Sequence, residues 1–279
     1  MRAETAEMTE VWDCHAHVFP AAVAARAVAA IGAFYNLPMD GRGTVDDLLE
    51  VSRTAGIAHS VIFSTATRRD QVASINRFMA ACQQAHTGLI AFGTLHPTLT
   101  VRETADAIEQ AIASGLRGIK LHPDFQQTAA DSPFVIAAAR LLSGRLPLII
   151  HAGDPRHDYS QPLRIRHLAD AAPKTQIVAA HLGGWGQWRR AAGLLAGRPN
   201  VWVDTSSSLS YLEPDEAVAL IRVYGADRVL FGTDYPMWRP QSELVRFNRL
   251  PLTALEKQQI LHDNACRLLG GTNQAVAKQ

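Results

Sequence analysis

Short apolar or β-branched runs recur along the chain, separated by longer stretches of helical period. The runs are Val11–Val18, Ser60–Thr65, Leu89–Leu95, Gly118–His122, Leu148–His151, Gln176–His181, Val201–Thr205 and Val229–Thr233. After the second they return about every 25–30 residues, the length of one βα unit. The stretches between them carry helix punctuation. Thr44-Val-Asp-Asp47 opens one like a capping box, with Asp in place of Glu or Gln, and Gly56 stands where its C′ residue belongs. Thr253-Ala-Leu-Glu256 is a full capping box for the last helix, which Gly270 would end. Pro214 suits the first turn of another, and Ala111 to Leu116 and Ala137 to Leu142 close two more amphipathic segments.

Eight strands alternating with helices predict an α/β fold with a parallel sheet, and eight is the number that closes a single (β/α)8 barrel. An open doubly wound sheet is the alternative, but no G-x-G-x-x-G follows the first run and no Walker A motif occurs. One domain is predicted over residues 11–270, flanked by tails at Met1–Glu10 and Gly271–Gln279 that should fray. The interval between the first two runs, about 40 residues, breaks the rhythm. Its Pro20–Gly43 stretch is predicted as an elaborated loop with a short Ala-rich helix, hanging over the end of the first strand.

Composition narrows the class. Of 279 residues, 47% are hydrophobic and 19% charged, which excludes a disordered chain. A net charge of +1 excludes the basic field of a nucleic-acid or membrane-surface binder. Three Cys argue against a disulfide framework and for a reducing compartment. Runs such as Pro147 to Ile150 are too short to span a bilayer, and the polar start does not resemble a signal peptide. A soluble cytoplasmic protein is expected, with no nucleic acid or membrane among its partners. Dimers are common in such barrels and a homodimer is one possible assembly, but the chain carries no interface signal of its own.

The 11 His change the picture most. His15, His17, His96, His122, His151 and His181 all fall at C-terminal ends of predicted strands, and Asp234 occupies the same place after the eighth. In a barrel this is the face where active sites are built. Strand side chains alternate, so His15 and His17 should project from one face and share one metal ion. Asp13 has the same parity and could hold an imidazole N–H from below. Cys14 has the opposite parity and should pack against helices. Imidazole plus carboxylate suits zinc, manganese or iron(II). Such a metal lowers the pKa of a bound water, and Asp234 could both ligate and take its proton.

The segments Asp13-Cys-His-Ala-His17, Gly118-Ile-Lys-Leu-His-Pro123, His151-Ala-Gly153, Ala180-His-Leu-Gly-Gly184 and Gly232-Thr-Asp-Tyr-Pro236 together resemble the amidohydrolase superfamily. The likeness is to its amidohydrolase-related branch, which holds TIM-barrel hydrolases and the aminocarboxymuconate-semialdehyde and resorcylate decarboxylases. It runs from Val11 to about Leu269. The resemblance implies that His15, His17, His151 and Asp234 bind one divalent metal, with zinc first and manganese or iron(II) behind it. It implies that His181 stands beside the open coordination position as acid, base or carbonyl-polarising group. A binuclear site bridged by carboxylated Lys120 is a lesser alternative. Otherwise Lys120 should be a buried cation paired with Asp13 or Asp204, or a donor to substrate.

His122 is a candidate substrate contact, and His96 reads as structural. Arg68 or Arg69, after the second strand, and Arg156 or His157, after the fifth, could clamp a substrate carboxylate. Asp204 could hold His181 or Lys120. Trp185, Trp188 and Trp238 could wall an apolar pocket, and Phe34 and Tyr35 could reach it from the long loop. Cys82 and Cys266 read as core, and His59, His86, His167 and His262 as positions without a site.

The expected activity is metal-dependent hydrolysis of an amide, ester or lactone in a small molecule, with Asp234 and His181 managing the protons. The alternative is metal-dependent, non-oxidative decarboxylation of an aromatic or unsaturated acid. A metal-free lactonase or a non-catalytic barrel is a third reading.

Overall fold

The computed structural model describes residues 10–270, so the tails expected at 1–9 and 271–279 lie outside the described residues. The elements alternate as the hydrophobic rhythm predicts. The strands are β1 (Val11–His17), β2 (Ile57–Phe63), β3 (Leu89–Ala91), β4 (Gly93–Thr94), β5 (Ile119–Leu121), β6 (Leu148–Ile150), β7 (Ile177–Ala179), β8 (Val201–Asp204) and β9 (Val229–Leu230). The helices are α1 (Ala21–Tyr35), α2 (Val45–Ala55), α3 (Val72–Ala85), α4 (Val101–Ala113), α5 (Pro123–Gln126), α6 (Pro133–Leu142), α7 (Pro162–Ala171), α8 (Trp188–Leu195), α9 (Pro214–Tyr224), α10 (Pro240–Asn248), α11 (Ala254–Gln258) and α12 (Asn264–Gly270).

All strand pairs are parallel, in a ladder β1-β2-β3 and a ladder β4 to β9. Two seams join them. At Phe92 the predicted third run is interrupted, and β3 and β4 are two pieces of one stave. There the Phe92 N–H donates to Ile62 O at 2.9 Å and Arg117 N–H to Ala91 O at 2.8 Å. Across the other seam, Cys14 N–H donates to Phe231 O at 2.8 Å and His17 N–H to Tyr235 O at 2.6 Å. The eight staves form a (β/α)8 barrel.

Strands buried on both faces need apolar residues at both parities. One parity (Ile62, Leu148, Ile150, Ile177, Ala179, Val203) meets the helices through Leu48, Met79, Ile108, Leu168 and Ile221. The other (Val61, Phe63, Ile149, Val178, Trp202, Leu230) fills the barrel interior, which α12 plugs from below with Leu268 and Leu269. Each such large side chain stabilises the frame by roughly 1.5–3 kcal/mol. The caps are the expected ones. Thr44 accepts from Asp47 N–H, Gly56 ends α2 in the left-handed region, Pro214 sits in the first turn of α9, and Thr253 and Glu256 form the capping box. A π turn at Gln259–Asp263 interrupts the final helix.

Two expectations need correction. The register of β1 on β2 shifts between Asp13 and Ala16, which breaks simple alternation. Cys14 therefore joins the interior cluster instead of the helix-facing one. The helix in the long first loop is not short: α1 has 15 residues and ends at Asn36, whose φ of 53° makes the left-handed cap. Among the described residues, no helix is long and apolar enough to cross a membrane.

Candidate active site

His15 and His17 lie on the bulged strand β1, and Asp234 follows β9, whose side of the seam meets them. Asp234 N–H donates to His15 O at 2.8 Å, which fixes the two chain segments together. Gly232 allows this approach, because a Cβ there would stand 2.8 Å from the His15 Cβ. His15 Nδ1 lies 2.9 Å from Asp204 Oδ2, so the Nδ1–H donates to the carboxylate and the Nε2 lone pair faces inward. His15 Nε2 is 3.3 Å and His17 Nε2 is 3.5 Å from Asp234 Oδ1. One ligand atom from each of the three lies within 4.8 Å of the other two.

The electrostatics suit a divalent cation. Burial pushes the His15 imidazole down to about 4, with Lys120 adding to it, and burial also lowers His17. Both shifts favour the neutral form that a ligand must have. Burial pushes the Asp234 carboxyl up, but His15, His17 and His181 outweigh it and hold the group well below the usual range. Two neutral imidazoles and a buried carboxylate are a donor set that fits zinc, manganese or iron(II). Lys120 does not pair with Asp13. Its Nζ stands 3.2 Å from His15 Nε2 and 4.6 Å from the Phe63 ring centre. Burial lowers its amine to about 8, against Asp204 and Asp234. Lys120 donates to the same His15 lone pair that would hold a metal.

Asp13 does not reach an imidazole. It accepts from Thr233 N–H at 2.9 Å, Thr233 Oγ1 at 2.6 Å and His15 N–H at 3.1 Å, so it braces the segment before Asp234. The β1 bulge is the reason. Asp204 does the work foreseen for Asp13, and its other oxygen accepts from His181 N–H at 3.0 Å.

His151 follows β6 directly, and His181 stands two residues beyond β7. His181 Nε2 and His151 Nδ1 meet at 2.9 Å, and His151 Nε2 lies 3.1 Å from Gly153 O. His151 thus donates to the carbonyl and accepts from His181. His181 Nδ1 is 2.9 Å from Ser206 Oγ and 3.9 Å from Asp234 Oδ2. Both rings line the cavity that His17 and Asp234 also line, although neither belongs to the close donor triplet. His181 and Asp234 have φ of 59° and 61°, unusual for residues other than glycine. Each such residue costs roughly 1–3 kcal/mol, and such strain clusters at functional sites.

A second donor group, His122, Asp124 and His151, lies beside the first. Its geometry does not suit a metal. The His122 and His151 rings are stacked with centroids 4.0 Å apart and planes 10° from parallel. An imidazole nitrogen holds a metal in its ring plane, and two stacked planes share no such point. The His122 ring is instead the middle layer of a stack, with Phe125 on its other face at 3.7 Å.

The cavity over these residues has a volume of about 30 Å³, and its walls include Ile31, Tyr35, Met39, Phe125, Trp185 and Met237. Helix α1 supplies part of the roof. Tyr35 Oη is 3.0 Å from His122 Nε2. Gly153, at φ 77°, lets the loop after β6 touch the loop after β7, for a Cβ there would lie 2.5 Å from Gly184 C and Trp185 N. That contact sets Trp185 in the wall.

Arg156 does not face the cavity as a substrate clamp. It grips the buried Asp154 with Nε at 2.9 Å and Nη2 at 2.7 Å, and donates from Nη1 to Phe34 O at 2.7 Å. Its guanidinium lies over the rings of Phe34 and Tyr35 at 4.9 and 5.4 Å. Arg68 pairs with Asp70 on the rim of an adjoining groove of about 890 Å³ between α1 and α3, which shares His17, Ile31 and Phe125 with this cavity, and Arg69 pairs with Glu103. His96 is turned away, with Nδ1 on Thr98 Oγ1 at 2.9 Å. Trp188 and Trp238 donate to Ser208 and Ser207, so they tie loops together. Sequence reasoning gave no role to Ser207, whose Oγ donates to Asp234 Oδ2 at 2.5 Å, or to Phe125. The run Ser206–Ser208 at a strand's C-terminal end was the available signal for the first.

Comparison with known proteins agrees with this architecture. The amidohydrolase family pattern matches residues 12–271. No curated protein matches the chain. An uncharacterised TIM-barrel protein from Bordetella bronchiseptica superposes with a TM-score of 0.78 at 20% identity, over 94% of this chain and 99% of that one. A dihydroxybenzoic acid decarboxylase from Polaromonas sp. JS666, with bound manganese and 2-nitroresorcinol, gives 0.73 at 15% identity over 94% and 97%. A putative 2-pyrone-4,6-dicarboxylic acid hydrolase from Pseudomonas putida gives 0.62 at 20% identity over 95% and 98%. With the family pattern covering nearly every described residue, and the His and Asp donors gathered at the rim of its barrel, this chain belongs to the amidohydrolase family.

Proposed function

We propose that the chain is a metal-dependent, non-oxidative decarboxylase of a small aromatic or unsaturated acid. The observation that carries this reading is the aromatic lining beside the donor triplet, where Tyr35, Phe125 and Trp185 offer ring faces to a planar substrate. Structural neighbours that are decarboxylases of 5-carboxyvanillate and dihydroxybenzoates support it. This reverses the preference drawn from motifs, which serve both reactions equally.

His15, His17 and Asp234 would hold the cation, with His151 as the further ligand that the family resemblance implies. When bound, the cation supplies Lewis-acid polarisation of the substrate oxygens. Zinc and manganese both fit the donors, and a neighbour holding manganese favours testing that ion first. The reaction needs a proton at the ring carbon that bears the carboxylate. The bond to the carboxylate then breaks, its electron pair returns to the ring, and carbon dioxide leaves. His181 lines the cavity beside Asp234 and is the proposed donor. Ser206 and Asp204 orient its ring and backbone.

Hydrolysis is the second reading, favoured by the same anionic Asp234, which could take a proton from water beside the triplet. One assay separates the two. The metal-loaded protein is offered hydroxybenzoates, lactones and amides while carbon dioxide is monitored. Carbon dioxide from a hydroxybenzoate supports the proposal, and turnover of a lactone or amide without it overturns the proposal.

A further inference from the structure

The cavity lined by His17, His181 and Asp234 has no arginine in its walls; Arg156 is held by Asp154 and Phe34 O, and Arg68 lies in the adjoining groove, paired with Asp70. Within that cavity a neutral donor is suited to the substrate oxygens that the cation does not hold. The hydrogen bonds around His122 identify one. Phe125 N–H donates to His122 Nδ1 at 3.3 Å, as the first-turn contact of α5. With Nδ1 accepting, the ring carries its proton on Nε2. The Nε2–H therefore donates to Tyr35 Oη at 3.0 Å. No other hydrogen bond engages Tyr35 Oη among the described residues, and Tyr35 lines the cavity. Its own O–H is left to donate inward.

We infer that Tyr35, delivered from α1, is a catalytic residue whose hydroxyl donates a hydrogen bond to a carboxylate or phenolic oxygen of the substrate. The inference deepens the decarboxylase proposal and rests on it. The Arg156 grip on Phe34 O holds the end of α1 in place, so the donor is preorganised before substrate arrives. His122 acts through Tyr35 as a positioning residue.

The test uses the manganese-loaded full chain, 2,6-dihydroxybenzoate as probe, and Tyr35→Phe, which keeps the ring and removes only the hydroxyl. Calorimetric binding and turnover are measured beside metal content, Tm and the 15N spectrum of labelled imidazoles. The expected result is a loss in kcat/KM of roughly 10²–10³-fold, mostly in kcat, with metal content and Tm unchanged. The expected spectrum shows His122 protonated at Nε2. Equal binding and turnover in Tyr35→Phe would overturn the inference, as would a His122 proton on Nδ1, which would make Tyr35 the donor to the ring. If the wild-type chain neither binds nor decarboxylates the probe, the decarboxylase reading falls for this acid. The imidazole spectrum then decides the Tyr35 inference alone, for it or against it.

Discussion

Asp204 Oδ2 lies 2.9 Å from His15 Nδ1, and both side chains are sealed from solvent. The carboxylate accepts the Nδ1 proton and so leaves Nε2 as the only nitrogen able to face a cation. Asp204→Asn offers an N–H to the same nitrogen and favours the opposite tautomer. Metal affinity should fall about 10- to 100-fold. Equilibrium dialysis with manganese and zinc measures it, and unchanged affinity would show that the tautomer is fixed by something else.

Removing the metal should lower both activity and stability. A cation at about 100 times its Kd stabilises the folded state by about 2.7 kcal/mol. A chelator should therefore reduce Tm, and re-addition should restore it. Elemental analysis of the loaded protein should give one equivalent. Two equivalents would revive the site bridged by carboxylated Lys120. Less than about half an equivalent, with activity insensitive to the chelator, would favour the metal-free lactonase or non-catalytic reading.

His181→Asn should abolish turnover while leaving metal content near that of the wild type. Asn is suited to the position, because it tolerates the positive φ that His181 adopts. Loss of metal along with activity would make His181 a ligand, not the proton donor.

Arg156→Met should loosen the end of α1 without touching the donor triplet. The substitution removes the bond to Phe34 O and the charge above Phe34 and Tyr35. Limited proteolysis near Asn36 should accelerate several-fold, with metal content unchanged. A protease profile identical to the wild type would mean that packing alone holds the helix.

Glu243, outside the donor triplet but within reach of the Asp234 and Asp13 charges, gives a pH test. It is fully buried, its Oε2 has no hydrogen-bond partner, and Oε1 accepts from Arg246 at 2.6 Å. Burial raises its carboxyl from 4.5 to about 7, although Arg246 opposes the shift. With a raised folded-state pKa, this group's contribution is fully present below pH 4.5 and is lost as pH rises through about 7. Glu243→Gln should flatten the stability–pH curve over that window, by an amount on the order of 1–3 kcal/mol. Urea unfolding at pH 5 and pH 8 gives the slope, and parallel curves for the two proteins would refute the assignment.

Much of the molecule was legible before any coordinates. The 25–30-residue rhythm of apolar runs and the caps at Thr44, Gly56 and Thr253 reflect local physics, periodicity and backbone satisfaction, which a sequence states directly. The donors His15, His17 and Asp234 were legible for a related reason. A barrel places every strand's C-terminal end on one face, so position along a strand already says where a side chain goes. Only the tertiary structure decided the finer assignments. A bulge in β1 moved Cys14 inward and handed the imidazole contact from Asp13 to Asp204, and period-two reasoning cannot foresee a bulge. Arg156 turned from a candidate clamp into the tie on α1 because Asp154 and Phe34 O, distant from each other in sequence, meet it in space. Tyr35 reached the cavity because α1 runs 15 residues and folds over the barrel mouth, where His122 can hold its hydroxyl. The position of the donors along their strands followed from local pattern, whereas orientation, tautomer and access depend on contacts between separate βα units.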